Sequence, residues 1–214
     1  MSVEWHDVVA RPRASYDGAV DRRRQVPKEA WKQAEREAFL RQVVDRGAQR
    51  LLDIGTGTGD DAVFFQEAGR SVTAIDLSPE MVRYARARGV DAREMNLERL
   101  DLPDGVFDAV WSLNVFLHLP GDRWDRALRE ARRTLAPEGL FYLGVYGGST
   151  QEGIWEEDTY RPQRYFTFQT DDDLLDRLRS RRFRIIDFHT VDYGHALFHF
   201  QAELLGQPEA GVAR

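Results

Sequence analysis

The run Asp53-Ile54-Gly55-Thr56-Gly57-Thr58-Gly59, directly after the apolar pair Leu51-Leu52, constrains this chain more than any other feature. Three glycines within five residues, between a short apolar strand and a helix from Asp60 to Ala68, predict a tight strand-to-helix turn. Such a turn lets a ligand approach the backbone and offers it the free N–H groups of the helix start. A turn without ligand is the plainer account of a lone glycine loop, but the glycine density speaks against it. A dinucleotide fingerprint, Gly-x-Gly-x-x-Gly, needs its third glycine where this chain has Asp60. Asp53 would also bring a carboxylate close to two phosphates, whereas it suits a cationic group. No Gly-Lys-Ser/Thr follows, so the turn is not a P-loop.

Short apolar strands alternate with helices beyond this point. Ser71 to Ile75 is a second strand ending at Asp76, about twenty residues past the turn, where an acid can accept from two ribose hydroxyls. A helix-start charge is the alternative account of Asp76. Ser78 and Pro79 then read as the cap and first residue of a helix to about Arg88. Ala92 to Met95 is an edge strand, Phe107 to Ser112 a further strand, Trp124 to Thr134 a helix, and Leu140 to Tyr146 another strand. This alternation predicts a parallel sheet covered on both faces. Residues 1–46 form an N-terminal helical cap, polar and Arg-rich to about Val26, with Pro27 opening a helix that stops at Gly47. Residues 47–146 are the ligand-binding core and 147–169 an irregular aromatic lid. Residues 170–214 hold a capped helix and two antiparallel strands, Arg182 to Phe188 and His195 to Leu204, all within one domain.

Together these segments resemble the signatures of class I S-adenosylmethionine-dependent methyltransferases. Leu51 to Gly59 resembles the first motif and Ala74-Ile75-Asp76-Leu77-Ser78-Pro79-Glu80-Met81 the second. Phe107 to Ser112 with Asn114 to His118 resembles the fourth-strand segment, and Arg133 to Gly139 the turn into the fifth. The resemblance implies a three-layer Rossmann-like α/β fold, with a mostly parallel seven-stranded sheet and an antiparallel last strand, and S-adenosylmethionine as cofactor. By position, Asp53, Gly55, Thr56, Gly57 and Gly59 would hold the methionine end and Asp76 the ribose. Leu77 and Met81 would lie against the adenine, and Asn96-Leu97 stands where the family often has an Asp-Ala-like pair. Ser112, Leu113 and Asn114 would pass the sulfonium, and Tyr16 resembles an aromatic residue that covers the cofactor.

A cofactor that is already a strong electrophile makes a dedicated base optional. His118, after the fourth strand, is the candidate base, with a structural histidine as the alternative. Tyr146, at the end of the fifth strand, is a candidate for orienting the acceptor. His195 and His199 read as a partly buried strand pair rather than metal ligands, and no metal site is expected. With no cysteine, thiolate catalysis and disulfides are excluded. No Asn-Pro-Pro-Tyr or Asp-Pro-Pro-Tyr follows the fourth strand, the motif of exocyclic base-amine methylation. The net charge of -6 also opposes a nucleic-acid partner, and the Arg22–Arg24 and Arg179–Arg184 runs read as solvated surface. The N-terminus lacks a signal peptide's apolar run and no stretch spans a membrane, so a cytoplasmic protein is expected. The expected function is methyl transfer to nitrogen or oxygen of a small molecule. A non-catalytic cofactor-binding regulator and, further behind, an NAD-dependent oxidoreductase are the alternatives.

Overall fold

A computed structural model describes residues 5–194 and 199–206, with side chains from residue 10 onward. The strand ladder is a seven-stranded sheet in the order β3-β2-β1-β4-β5-β9-β8. Its first five members are parallel: β1 (Arg50–Ile54), β2 (Ser71–Asp76), β3 (Asp91–Glu94), β4 (Phe107–Leu113) and β5 (Leu135–Gly147). β9 (His199–Gly206) inserts antiparallel between β5 and β8 (Arg184–Val191). The expected mostly parallel sheet with an antiparallel last strand is therefore present.

The apolar runs of β1 and β4 are buried on both faces, as strands sandwiched between helices require. Side chains alternate between the faces. Leu52, Ile54 and Val110 join a core closed by α6 (Trp124–Thr134) and α7 (Asp171–Ser180). Leu51, Ala109 and Trp111 join the opposite core, under α3 (Ala30–Asp45), α4 (Asp60–Glu67) and α5 (Pro79–Ala87). The caps follow the sequence. Ser78 Oγ accepts from the Met81 N–H ahead of Pro79, and Thr170 Oγ1 accepts from the Asp173 N–H.

Two expectations need correction. The cap holds α1 (Trp5–Asp17) and α2 (Val20–Gln25), and the next helix starts at Ala30, not Pro27. Glu29 is extended (ψ 144°) and Lys28 turns away to pair with Asp61, so the helix forms only after them. The lid segment is not irregular throughout: β6 (Gln151–Ile154) and β7 (Tyr165–Phe168) pair as an antiparallel ribbon. Phe166 and Phe168 stack with ring centroids 5.5 Å apart, and Trp155 packs edge-on against both. His195 lies outside the described residues. His199 donates from Nε2 to Asp171 Oδ1 at 2.7 Å, which ties β9 to the start of α7. No described helix is long and apolar enough to cross a membrane.

Candidate cofactor and acceptor site

The carboxyl ends of β1, β2, β4 and β5 open on one cavity of about 530 Å³, where ligands of open parallel sheets bind. α1, α2, the start of α3 and the β6–β7 ribbon close its other side, contributing Tyr16, Arg23, Lys32 and Phe166 among others. Of the residues singled out by sequence, Tyr16, Asp53, Gly55, Thr56, Gly57 and Asp76 line this cavity. Leu77, Asn96, Leu97, Leu113, Asn114, His118 and Tyr146 line it as well.

The glycine turn folds back over β2, with the Gly55 and Thr56 N–H groups both donating to Ile75 O at 2.8 and 3.0 Å. Gly55 has φ +74°, and a Cβ there would lie 2.1 Å from Val115 Cγ2, so only glycine fits. Gly59 has a different task from the one its position suggested. It starts α4 in the left-handed region, and a Cβ on it would come within 3.1 Å of Ala85 Cβ on α5. Gly59 therefore packs helix against helix and does not line the cavity. Met81 and Ser112 are also fully buried and absent from its wall. Met81 faces the core because it lies one turn into α5, and Ser112 because strand alternation turns it away from the rim.

Asp53 is 2% exposed, and its Oδ2 has no hydrogen-bond partner among the described residues. Burial, then the neighbouring Asp61 carboxylate, push its carboxyl up to about 7. Asn114 Oδ1 is likewise buried without a partner among the described residues, and the Thr56 hydroxyl lies close enough to Asp53 to oppose the rise of its pKa. Buried acceptors are normally satisfied, so this end of the cavity suits a ligand that brings donors and positive charge. Asp76 accepts from the Gly57 N–H at 2.8 Å through Oδ2 and from the Ser78 N–H at 2.9 Å through Oδ1. Each oxygen keeps a lone pair for a ribose hydroxyl. Burial still raises the Asp76 pKa, against those two bonds. Asn96 Oδ1 accepts from the Glu98 N–H at 2.9 Å, which leaves the amide NH₂ as its donor to a ligand. The ammonium, ribose and adenine of S-adenosylmethionine fit this donor and acceptor set.

His118 has both ring nitrogens occupied. Nδ1 lies 2.9 Å from Tyr165 O, which only accepts, so Nδ1 carries the proton. Nε2 therefore accepts from the Tyr16 hydroxyl at 2.8 Å, and Tyr16 accepts from Arg164 Nη1 at 2.9 Å. Burial, then the Arg164 charge, lower the His118 pKa to about 3. The imidazole is neutral and joins α1 to the ribbon. Arg164 extends the chain to Asp158, 2.8 Å from Nε and 2.9 Å from Nη2. Tyr146 sits among Trp31, Tyr193 and Phe200, with Lys32 Nζ 5.5 Å from its ring centre.

Sequence reasoning missed Asp61, which binds Lys28, Arg36 and the Trp111 indole N–H beside the methionine end. An acid in the first turn after the glycines is its only local signal. It also missed Arg23 and Arg164. Arg22 and Arg23 are exposed, as expected of a solvated run, and both also line the cavity.

Residues 52–143 match the model of a methyltransferase domain family. A malonyl-[acyl-carrier protein] O-methyltransferase of Geobacter sulfurreducens is 39% identical over 47% of this chain and 40% of its own length. The chain thus spans less than half of that relative. A ubiquinone/menaquinone biosynthesis C-methyltransferase of Rubrivivax gelatinosus is 26% identical over 82% of this chain and 78% of its own. Among solved structures, the 1,6-didemethyltoxoflavin-N1-methyltransferase of Burkholderia thailandensis, with S-adenosylhomocysteine bound, superposes with a TM-score of 0.75. That match has 24% identity and covers 98% of this chain and 92% of that one. Its likeness is one of fold, and the fold agrees with the domain match and with the glycine turn flanked by two strand-end acids. Residues 52–143 thus carry a methyltransferase domain match, and the fold around them is that of solved Rossmann-like methyltransferases.

Proposed function

We propose that this chain transfers the methyl group of S-adenosylmethionine to a nitrogen or oxygen of a small-molecule acceptor, in the cytoplasm and as one domain. The observation that carries this reading is the unpaired, buried Asp53 oxygen beside the glycine turn, in the same cavity as Asp76. Asp53 would hold the ammonium of the cofactor's methionine end and Asp76 its ribose hydroxyls. Bound there, the cofactor supplies an electrophilic methyl on sulfonium. The chain's own contribution is placement and exclusion of water. Positioning of this kind removes about 7–11 kcal/mol from a barrier in favourable cases. We assign His118 to holding Tyr16 and the ribbon over the cavity rather than to removing a proton, because its lone pair is already engaged. Tyr146, on the rim at the end of β5, is assigned to orienting the acceptor.

A small acceptor fits a cavity roofed by helices and a ribbon, and the net charge of -6 disfavours a polyanionic one. The named relatives are O-, C- and N1-methyltransferases, so the atom methylated here is read from the product. The test is turnover with a panel of phenols, carboxylic acids and heteroaromatic amines. The expected result is S-adenosylhomocysteine formed in step with a product one methyl heavier. Acceptor conversion with the cofactor unconsumed would point to other chemistry. Tight cofactor binding with no turnover of any acceptor class would favour the regulatory reading.

A further inference from the structure

Two donors meet on the cavity rim where β4 and β5 end. The Asn114 N–H donates to Gly144 O at 2.7 Å, which holds those strand ends side by side. Tyr146 stands two residues beyond that carbonyl and lines the cavity, and its hydroxyl makes no hydrogen bond among the described residues. The second donor is Lys32, in the first turn of α3, which lines the same cavity. Its ammonium lies 4.9 Å from the centre of the Trp31 ring and 5.5 Å from that of Tyr146.

Lys32 pairs with Glu29, but the pair is lopsided. The Lys32 side chain is 17% exposed and that of Glu29 is 53% exposed. Solvent screens the carboxylate, while the ammonium is held inward against two aromatic rings. Of the other cations on the wall, Lys28 is held by Asp61 and Arg164 by Asp158. Leu113, Leu117, Leu119 and Phe166 supply apolar wall to the cavity, which suits a ring or another flat, unsaturated body. A free hydroxyl donor beside a sheltered ammonium suits one kind of reacting atom, an oxygen that carries negative charge. A protonated amine would be repelled there. A neutral aromatic amine, whose lone pair is delocalised into its ring, gives both donors little to bind.

Resting on the methyl transfer proposed above, we propose that Lys32 and Tyr146 form an oxyanion site, and that the acceptor is an acidic hydroxyl compound, a phenol or enol, methylated as its anion. The engaged lone pair of His118 is then no obstacle. The acceptor leaves its proton in solvent before it binds, so the cavity needs no base. The acceptor oxygen forms its bond to the methyl carbon as the carbon–sulfur bond breaks, and that bonding pair passes to sulfur. An oxyanion and a sulfonium become a neutral ether and a neutral thioether.

The test uses two probes of nearly equal shape, para-nitrophenol and para-nitroaniline, with the protein saturated by S-adenosylhomocysteine. The buffer is one in which the free phenol is half ionised, so visible absorbance reports the ionised fraction of the bound probe. Wild type should bind the phenol at least about tenfold tighter than the aniline, and binding should shift the phenol towards its anion. Lys32→Met should abolish both the preference and the shift, with the affinities for the aniline and for S-adenosylhomocysteine unchanged. Glu29→Gln removes the carboxylate that partly cancels the ammonium, so it should strengthen the preference. A merely structural ion pair would instead make the two variants fail alike, and that result would overturn the proposal. So would equal binding of the two probes by wild type, binding of neither, or a preference that survives Lys32→Met. Turnover confined to heteroaromatic amines would leave methyl transfer standing and overturn the oxyanion site alone. Failure of wild type to bind S-adenosylhomocysteine would overturn the function on which the proposal rests.

Discussion

Replacing Asp53 by Asn should move stability and cofactor affinity in opposite directions. In the unliganded protein the Asp53 carboxyl is buried, lacks a partner at Oδ2 and faces Asp61, so its pKa rises from 3.8 to about 7. The folded state thus holds a proton that the unfolded chain releases near pH 3.8. The resulting stability is fully present below the unfolded pKa and is lost as pH rises through about 7. A shift of that size corresponds to an upper limit of about 4 kcal/mol, at 1.36 kcal/mol per pKa unit. Asn cannot ionise, so Asp53→Asn should flatten this slope and raise the melting temperature at alkaline pH.

Binding runs the other way. The cofactor's ammonium needs the ionised carboxylate, and losing that charge-assisted bond should cost about 1.5–3 kcal/mol, or about tenfold to a hundredfold in Kd. Wild-type affinity should also climb as pH rises through about 7, while the variant stays flat. Thermal melts from about pH 4 to about pH 8 read the stability effect, and calorimetric titrations at about pH 6 and about pH 8 read the binding effect. A variant that is less stable than wild type at alkaline pH yet binds as well would refute the reasoning.

Three further perturbations probe other parts of the account. Gly55→Ala should destabilise by about 1–3 kcal/mol through its positive φ and its clash with Val115, with partial rescue by Val115→Ala, as melts of single and double variants would show. Glu203 is fully buried in β9 with both oxygens unpartnered among the described residues, and burial followed by Asp171 raises its pKa well above the usual range. Its contribution is present below the unfolded pKa and is lost as pH rises, so Glu203→Gln should gain stability over wild type at alkaline but not acidic pH in a melt series. Tyr16→Phe leaves His118 Nε2 and Arg164 Nη1 without their shared partner and should cost about 1–3 kcal/mol, read by denaturant titration.

The sheet was legible because its signals are local. The apolar runs of β1 and β4, the Ser78-Pro79 start of α5 and the Thr170 cap each act within a few residues. The floor of the site was legible for the same reason, since the glycine turn and Asp76 sit at fixed strand ends. Its roof was not. Arg23, Arg164 and Lys28 reach the cavity through contacts that span many residues of chain, such as Tyr16 with Arg164 and Lys28 with Asp61. Nothing within an Arg-rich stretch distinguishes an arginine over a cavity from one in solvent. Gly59 shows the converse: a motif position correctly noticed, whose use is decided by the helix packed against it.

The most direct test of the central claim is calorimetric titration of the purified protein with S-adenosylmethionine and S-adenosylhomocysteine, with NADH as control. The account expects one site binding both sulfur nucleosides, no heat with NADH, and affinities at least tenfold weaker in Asp53→Ala and Asp76→Ala. Selective NADH binding, or wild-type affinity in both variants, would contradict it.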